Sequence, residues 1–306
     1  MAKQKRKPGA LYFTDVARAG RGAVILVGNY YALEDASEER IALLSLKNRT
    51  WGGMDLSGIA HAIRLSGRAG DPKRQYLILE RNRGLYRVTP PKSVKFSTIN
   101  EERDGFLMDM RKIGRNWYAV GGHHQVYREI NGKWKTIDSG VYVPGESGEA
   151  KILLSIDGTA EDDIYATGFN GVIFHFDGNA WTNLDSPTNL GLQRVLCLGK
   201  KEVYICGHGN SLFRGNSTGW VPLTEPDEST TYWDMASFKG DTYVCTKTEL
   251  YIIKDNQLEL VNIPVDGPVS FYRMDSDSHE LWTCGDECLL KFDGRNWEQF
   301  IFPDNE

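Results

Sequence analysis

The sequence is poor in most of the features that announce a chemistry. No run approaches the roughly eighteen apolar residues of a membrane helix, and the basic start MAKQKRKPGA leads into no apolar segment of the kind a secretory signal carries. Cysteine is scarce and odd in number, 5 in 306 residues. Without an export signal, that usage favours a reducing cytoplasm over a disulfide framework. Positive charge is not in excess: 36 Lys and Arg face 41 Asp and Glu, a net −5. Neither nucleic acid nor a membrane surface is therefore the expected partner. No segment holds apolar residues at sustained helical spacing between caps, which excludes an α/β plan. Phosphate-cradling glycine loops, nucleophile elbows, HExxH and kinase signatures are missing as well. The expectation is a soluble cytoplasmic β protein with no cofactor and no metal.

What the chain has instead is repetition. The stretch VIFHFDGNAWTNL (172–184) has counterparts in QVYREINGKWKTI (125–137), SLFRGNSTGWVPL (211–223), LYIIKDNQLELV (250–261) and CLLKFDGRNWEQF (288–300). Each is an alternating strand, a short Asn/Asp/Gly turn and a second strand usually opened by Trp. That is hairpin grammar, because Asn-Gly and Asp-Gly supply the positive φ angles of tight primed turns. Upstream of each hairpin lies WYAVGG, IYATGF, VYICGH, TYVCTK or LWTCGD. Their key positions Gly168, Gly207, Thr246 and Gly285 follow one another at 39 residues, with Gly121 a further 47 before Gly168. A further β-rich run precedes each: FLMDMRKI, KILLSI, LQRVLCL, TYWDMASF and SFYRMDS. Four strands in about forty residues is the period of a β-propeller blade.

Two more degenerate units precede these five, LYFTDVA to RTWGGMDL and AIRLSG to SVKFSTI. The reading is an all-β, seven-bladed β-propeller of four-stranded antiparallel blades over residues 10–302, with a basic disordered tail at 1–9. Six or eight blades remain open. Trp181, Trp134, Trp220 and Trp297 are expected to pack between blades. How the ring closes is undetermined, since both end blades supply four strands of their own.

These repeats resemble the broad superfamily of WD-repeat-like and quinoprotein-like propellers, and D-G-x-x-W is similar to a degenerate Asp-box. The Gly-His and Trp-Asp pairs of true WD repeats are absent, as is a full S-x-D-x-G-x-x-W box. The resemblance implies a scaffold whose face loops bind something, and it does not choose what.

The candidate chemistry is thin. Cys206, Cys245 and Cys284 occupy one slot in the second strands of successive blades, with Thr167 in the blade before, and read as buried packing rather than as ligands. C-G-D-E-C at 284–288 lacks metal-site spacing. His123, His124 and His208 read as solvated loop residues. Asp109, Arg194, Asp234 and Arg273 fall on innermost strands, where lining of the channel is the plain reading. A hydrolase or lyase at the channel mouth, with His123 and His208 assisting, is the enzymatic alternative. Repeated glycan sites are disfavoured because the face loops differ too much from blade to blade.

The repeat phasing sorts loops by face. One face collects the loops between second and third strands and the connections between blades, and its acids outnumber its bases several-fold. Among them are Glu38, Glu39, Glu80, Glu101, Glu102, Asp104, Asp138, Glu146, Glu149, Asp185, Glu225, Asp227 and Glu228. Tyr30, Tyr31, Tyr142 and Phe169 lie nearby as candidate apolar anchors, and the loops 28–41 and 138–149 are the longest. An acidic face that binds a basic protein is the leading expectation. Its concrete form is an immunity protein covering a basic toxin such as a nuclease; an assembly scaffold would use the same surface.

Overall fold

The computed structural model describes residues 10–31, 39–67, 71, 73–90, 93–99, 103–145 and 151–305. Among them are seven four-stranded antiparallel sheets, each formed by four consecutive strands. Blades 1 to 7 occupy residues 11–57, 60–98, 107–136, 153–183, 192–222, 234–260 and 273–300. The innermost strands are Leu11–Gly20, Ala60–Ser66, Leu107–Ile113, Leu153–Ala160, Leu192–Gly199, Asp234–Phe238 and Arg273–Ser276. Both N-terminal units are thus whole blades.

The turns use two solutions. Asn131 and Gly132 both have positive φ, 52° and 78°, as a two-residue primed turn requires. In the D-G-x-x-W hairpins only the glycine does so, Gly178 at 94° and Gly294 at 95°. There the aspartate closes the turn with its side chain: Asp177 Oδ1 accepts from the N–H groups of Asn179 and Ala180 at 2.8 and 2.9 Å, and Asp293 Oδ1 from Arg295 and Asn296. The Asp is thus a turn cap, and the expected Asp-Gly primed turn is replaced by a longer one.

Blades bury both faces against their neighbours, giving seven apolar clusters for seven interfaces. Trp181 is buried between blades 3 and 4, beside Tyr118 and Ile137, and its Nε1 donates to the Ile137 carbonyl at 2.8 Å. Trp134, Trp220 and Trp297 fill the corresponding interfaces.

A second device works along the inner ring. Asp15, Asp109 and Asp234 each accept the N–H of the next residue and an N–H on the inner strand of the following blade, Ile63, Ile156 and Met274 respectively. The same device closes the ring, where Asp275 of blade 7 accepts the Arg18 N–H of blade 1 at 2.6 Å. Among the described residues no strand is exchanged at the seam. It is held instead by Phe13 N–H on the Asp286 carbonyl (2.7 Å), by Gly22 N–H on the Glu280 carboxylate, by an Arg18–Asp277 ion pair (2.9 Å), and by two bonds between Asn305 and Leu11.

The glycines that mark the repeat have a steric reason. The connection entering each blade crosses the end of its second strand, and a Cβ on Gly121, Gly168 or Gly207 would collide with the carbonyl oxygen of Phe106, Ile152 or Gly191. We expect Gly207→Ala to lower unfolding stability by about 2–3 kcal/mol, as overpacking against backbone does. A denaturant melt with unchanged slope would measure it, and an unchanged midpoint would contradict the crossing.

Candidate functional site

Three levels stack along the central axis. In the middle, inward-pointing charges alternate: Asp15, Arg64, Asp109, Arg194, Asp234. Arg64 ion-pairs with Asp15 and Asp109, and Arg194 with Asp109 at 3.1 Å and Asp234 at 2.7 Å. Burial alone would raise the Asp109 pKa, but Arg194, then Arg64 and Arg111, outweigh it and hold the carboxyl well below the carboxylate range. Burial acts against the Arg194 cation, and Asp234 and Asp109 more than restore it. The five side chains form one continuous ion-paired network.

Below the belt, towards the turn face, lies a polar cavity of 340 Å³ lined by Arg18, Arg74, Arg111, Asp157 and Asp275 among others. Burial raises the pKa of both of these aspartates and, together with Arg194 and Arg64, lowers that of Arg111. Above the belt, on the loop face, the channel opens into a cavity of 510 Å³ walled by Tyr12, Tyr31, Met108, Trp233 and Tyr272, with Asn29, His61, Arg273 and Asp286 among its polar lining. Trp233 and Tyr272 meet edge to face at 5.6 Å, and Tyr12 and Tyr31 lie 5.1 Å apart.

The expected residues divide accordingly. Asp109, Arg194 and Asp234 do converge, but as the structural belt. Arg273 sits apart at the mouth, donating to the Trp233 and Tyr272 carbonyls at 3.2 and 2.9 Å. His123 and His124 are buried rather than solvated. The His123 ring lies 3.2 Å from the Val143 carbonyl, and His208 is half-buried between Gln193 and Thr231, its pKa lowered by burial. The six groups of the enzymatic alternative therefore do not share one pocket. Cys206, Cys245 and Cys284 are fully buried in three different interfaces, and burial pushes their thiols up. They pair across the sheet with Arg194, Asp234 and Arg273, so the slot is the outer neighbour of the channel position. Among the described residues no three His, Cys, Asp or Glu side chains gather as a metal site would need.

On the loop face, Asp185, Glu225, Asp227, Glu228, Glu249 and Asp266 are exposed along one arc, from the blade 4–5 connection to the blade 6–7 connection. Asp227 also ties its own loop through Ser229 and Thr230. Glu39 and Asp104 are exposed on the opposite side, where Arg81, Arg83 and Arg103 also stand. Glu80 and Asp138, counted with the acidic face, are instead buried. Glu80 accepts the Asn82 and Gly84 N–H groups, and Asp138 pairs with Arg103 and accepts the Val126 N–H. Glu38, Glu101, Glu102, Glu146 and Glu149 lie outside the described residues, as do residues 32–38 and 146–149 of the two long loops.

The candidate anchors are unequal. Tyr31 faces the mouth. Phe169 stacks on His208 (6.5 Å between centroids), and Arg103 lies 4.0 Å over Tyr142. Tyr30 is held in the seam, its hydroxyl donating to Asp55 at 2.8 Å and its pKa raised to about 12 by burial and then by Asp55. Sequence reading missed Asp15, Arg64 and the mouth residues Tyr12, Asn29, His61, Trp233 and Tyr272. The legible signal for the belt was a charged residue followed by an apolar one in the inner strands of four blades, as in TDV, MDM, QRV and WDM.

The whole ring superposes on solved propellers. It matches YCF48 bound to D1 peptide with a TM-score of 0.69 at 12% identity, over 97% of this chain and 94% of that one. It matches the WD40 β-propeller domain of Doa1 at 0.68 and 10%, over 94% and 93%. The chain has the β-propeller fold. Virginiamycin B lyase from Staphylococcus aureus aligns with this propeller too, at 0.65 and 12% over 90% and 92%, so a peptide-bound protein and a lyase share its fold and the likeness reaches no further. No family model matches. In sequence, the propeller is 32% identical over 181 residues to the immune protein Tsi7 of Pseudomonas aeruginosa strain PAO1. That match spans 59% of each protein, less than two thirds of the relative's length.

Removing the shared carboxylate of the belt should be costly. Asp109→Asn leaves Arg64 and Arg194 buried and under-paired, and we expect a loss of about 3–5 kcal/mol near neutral pH. Because folding depresses this pKa, its contribution is complete above the unfolded-state value of about 3.9 and fades as pH falls towards the folded one. The gap between wild type and variant should therefore shrink below about pH 4, as paired denaturation curves would measure.

Proposed function

We propose that this propeller is an immunity protein that binds and neutralises a basic protein toxin through its loop face. The observation that carries the reading is the likeness to an immune protein, combined with a face on which an exposed acidic arc lies beside an aromatic-walled mouth. Complementary charge speeds encounter and orients the partner, while aromatic anchors supply the desolvated contacts that charge lacks. Saturation of Asp109, Arg194 and Asp234 by one another supports a binding surface over a catalytic channel. An assembly scaffold would use the same surface, and the immune-protein likeness favours the inhibitor. The cytoplasm suits this role, and five free cysteines support that location.

The purified chain as bait in native extract should recover a stoichiometric basic protein at low salt, with weaker capture at high salt. Expressed alone, the captured protein should arrest growth, and co-expression with this chain should restore it. Glu225→Lys with Glu228→Lys should reduce capture about tenfold or more at low salt while leaving the melting temperature unchanged. Undiminished capture by that double variant would exclude the acidic arc. A captured protein that is harmless alone would exclude the immunity role.

A further inference from the structure

The channel mouth holds more than apolar walls. Arg273 is anchored by Nη1 alone, which donates to the Trp233 and Tyr272 carbonyls. Its Nε and second amino group carry no hydrogen bond or ion pair among the described residues, and no carboxylate lies within ion-pair distance of it. The two nearest candidates to neutralise it, Asp234 and Asp286, are otherwise engaged. Asp234, on the innermost strand of blade 6, is taken by Arg194 and two main-chain N–H groups, and Asp286 pairs with Lys247 at 3.4 Å.

A second side chain lines the same cavity without a hydrogen-bond partner among the described residues. Asn29 is only 7% exposed, and its buried Oδ1 makes no hydrogen bond. A buried amide left unmatched costs stability, and such groups mark places where a ligand or water completes the set. His61 completes the polar lining. Burial lowers its pKa, and its Nδ1 lies 2.7 Å from the Leu107 carbonyl, which leaves Nε2 as an acceptor.

We propose that the mouth binds a carboxylate carried on an aromatic or aliphatic body, with a neighbouring amide. In chemical terms this is an N-acyl amino acid or the C-terminal residue of a polypeptide. The Arg273 fork takes the carboxylate, since a guanidinium whose orientation is already fixed loses little entropy on binding it. The Asn29 amide takes the ligand amide. Tyr12, Tyr31, Met108, Trp233 and Tyr272 enclose the side chain, in a cavity within the size range of small-molecule sites. The site does not depend on the identity of the protein partner.

The probe is N-acetyl-phenylalanine, titrated into the full chain and followed by calorimetry and by tryptophan fluorescence, with Trp233 in the wall as reporter. Saturable binding is expected, weakened about tenfold or more when the carboxylate is replaced by the carboxamide in N-acetyl-phenylalaninamide, as loss of a charge-assisted bond predicts. Arg273→Gln should abolish that preference while keeping one main-chain bond. Asn29→Ala should weaken binding without lowering the melting temperature, a result that a merely structural asparagine would not give. An acetylated tetrapeptide ending in Phe distinguishes the two sources: tighter binding than the single residue assigns the site to a chain end, and equal or weaker binding to a free acid. No saturable binding up to about 10 mM, equal affinity for acid and amide, or a preference that survives in Arg273→Gln would overturn the proposal.

Discussion

A four-stranded sheet with apolar residues on both faces cannot stand alone in water, and every other feature of this protein follows from that. Each blade must be covered twice, so the blades stack until the last one meets the first. The hydrophobic effect alone would let neighbouring sheets slide, because apolar burial has no direction. Direction comes from the inner ring, where an aspartate on one blade takes a main-chain N–H of the next. The seam obeys the same rule: Asp275 of blade 7 accepts a main-chain N–H of blade 1.

Buried carboxylates need counter-charges, and the fold meets that need with Arg64 and Arg194. This choice shapes function indirectly. By filling the middle of the channel, the belt separates a polar lower cavity from an aromatic upper one. Groups that looked like catalytic candidates in the chain are thereby consumed as structure. Arg273 occupies the corresponding slot in blade 7, paired with Cys284 where Arg194 pairs with Cys206, yet among the described residues it has no carboxylate to meet. One slot thus carries a structural arginine in blade 5 and an available one at the mouth.

The loop face shows how charge placement depends on more than strand phase. Phase puts Glu80, Asp138 and Glu225 on one face. Only main-chain geometry decides that the first two turn inward to cap N–H groups while Glu225 meets solvent. The result is an acidic arc over blades 5 to 7 rather than a uniformly acidic face.

By itself, the sequence determined the repeat: its period, the interface tryptophans and the positions of the recurring glycines, with seven as the leading blade count. These depend on local alternation, turn chemistry and contacts that recur at constant spacing, so one chain displays them several times over. The tertiary structure alone decided the channel. Asp15, Arg64 and Asp109 are far apart in sequence, and they become one network only when inner strands of different blades face a common axis. The mouth cavity likewise joins residues from 12 to 286. No periodicity reports such sites, because each blade contributes a different side chain to the same place.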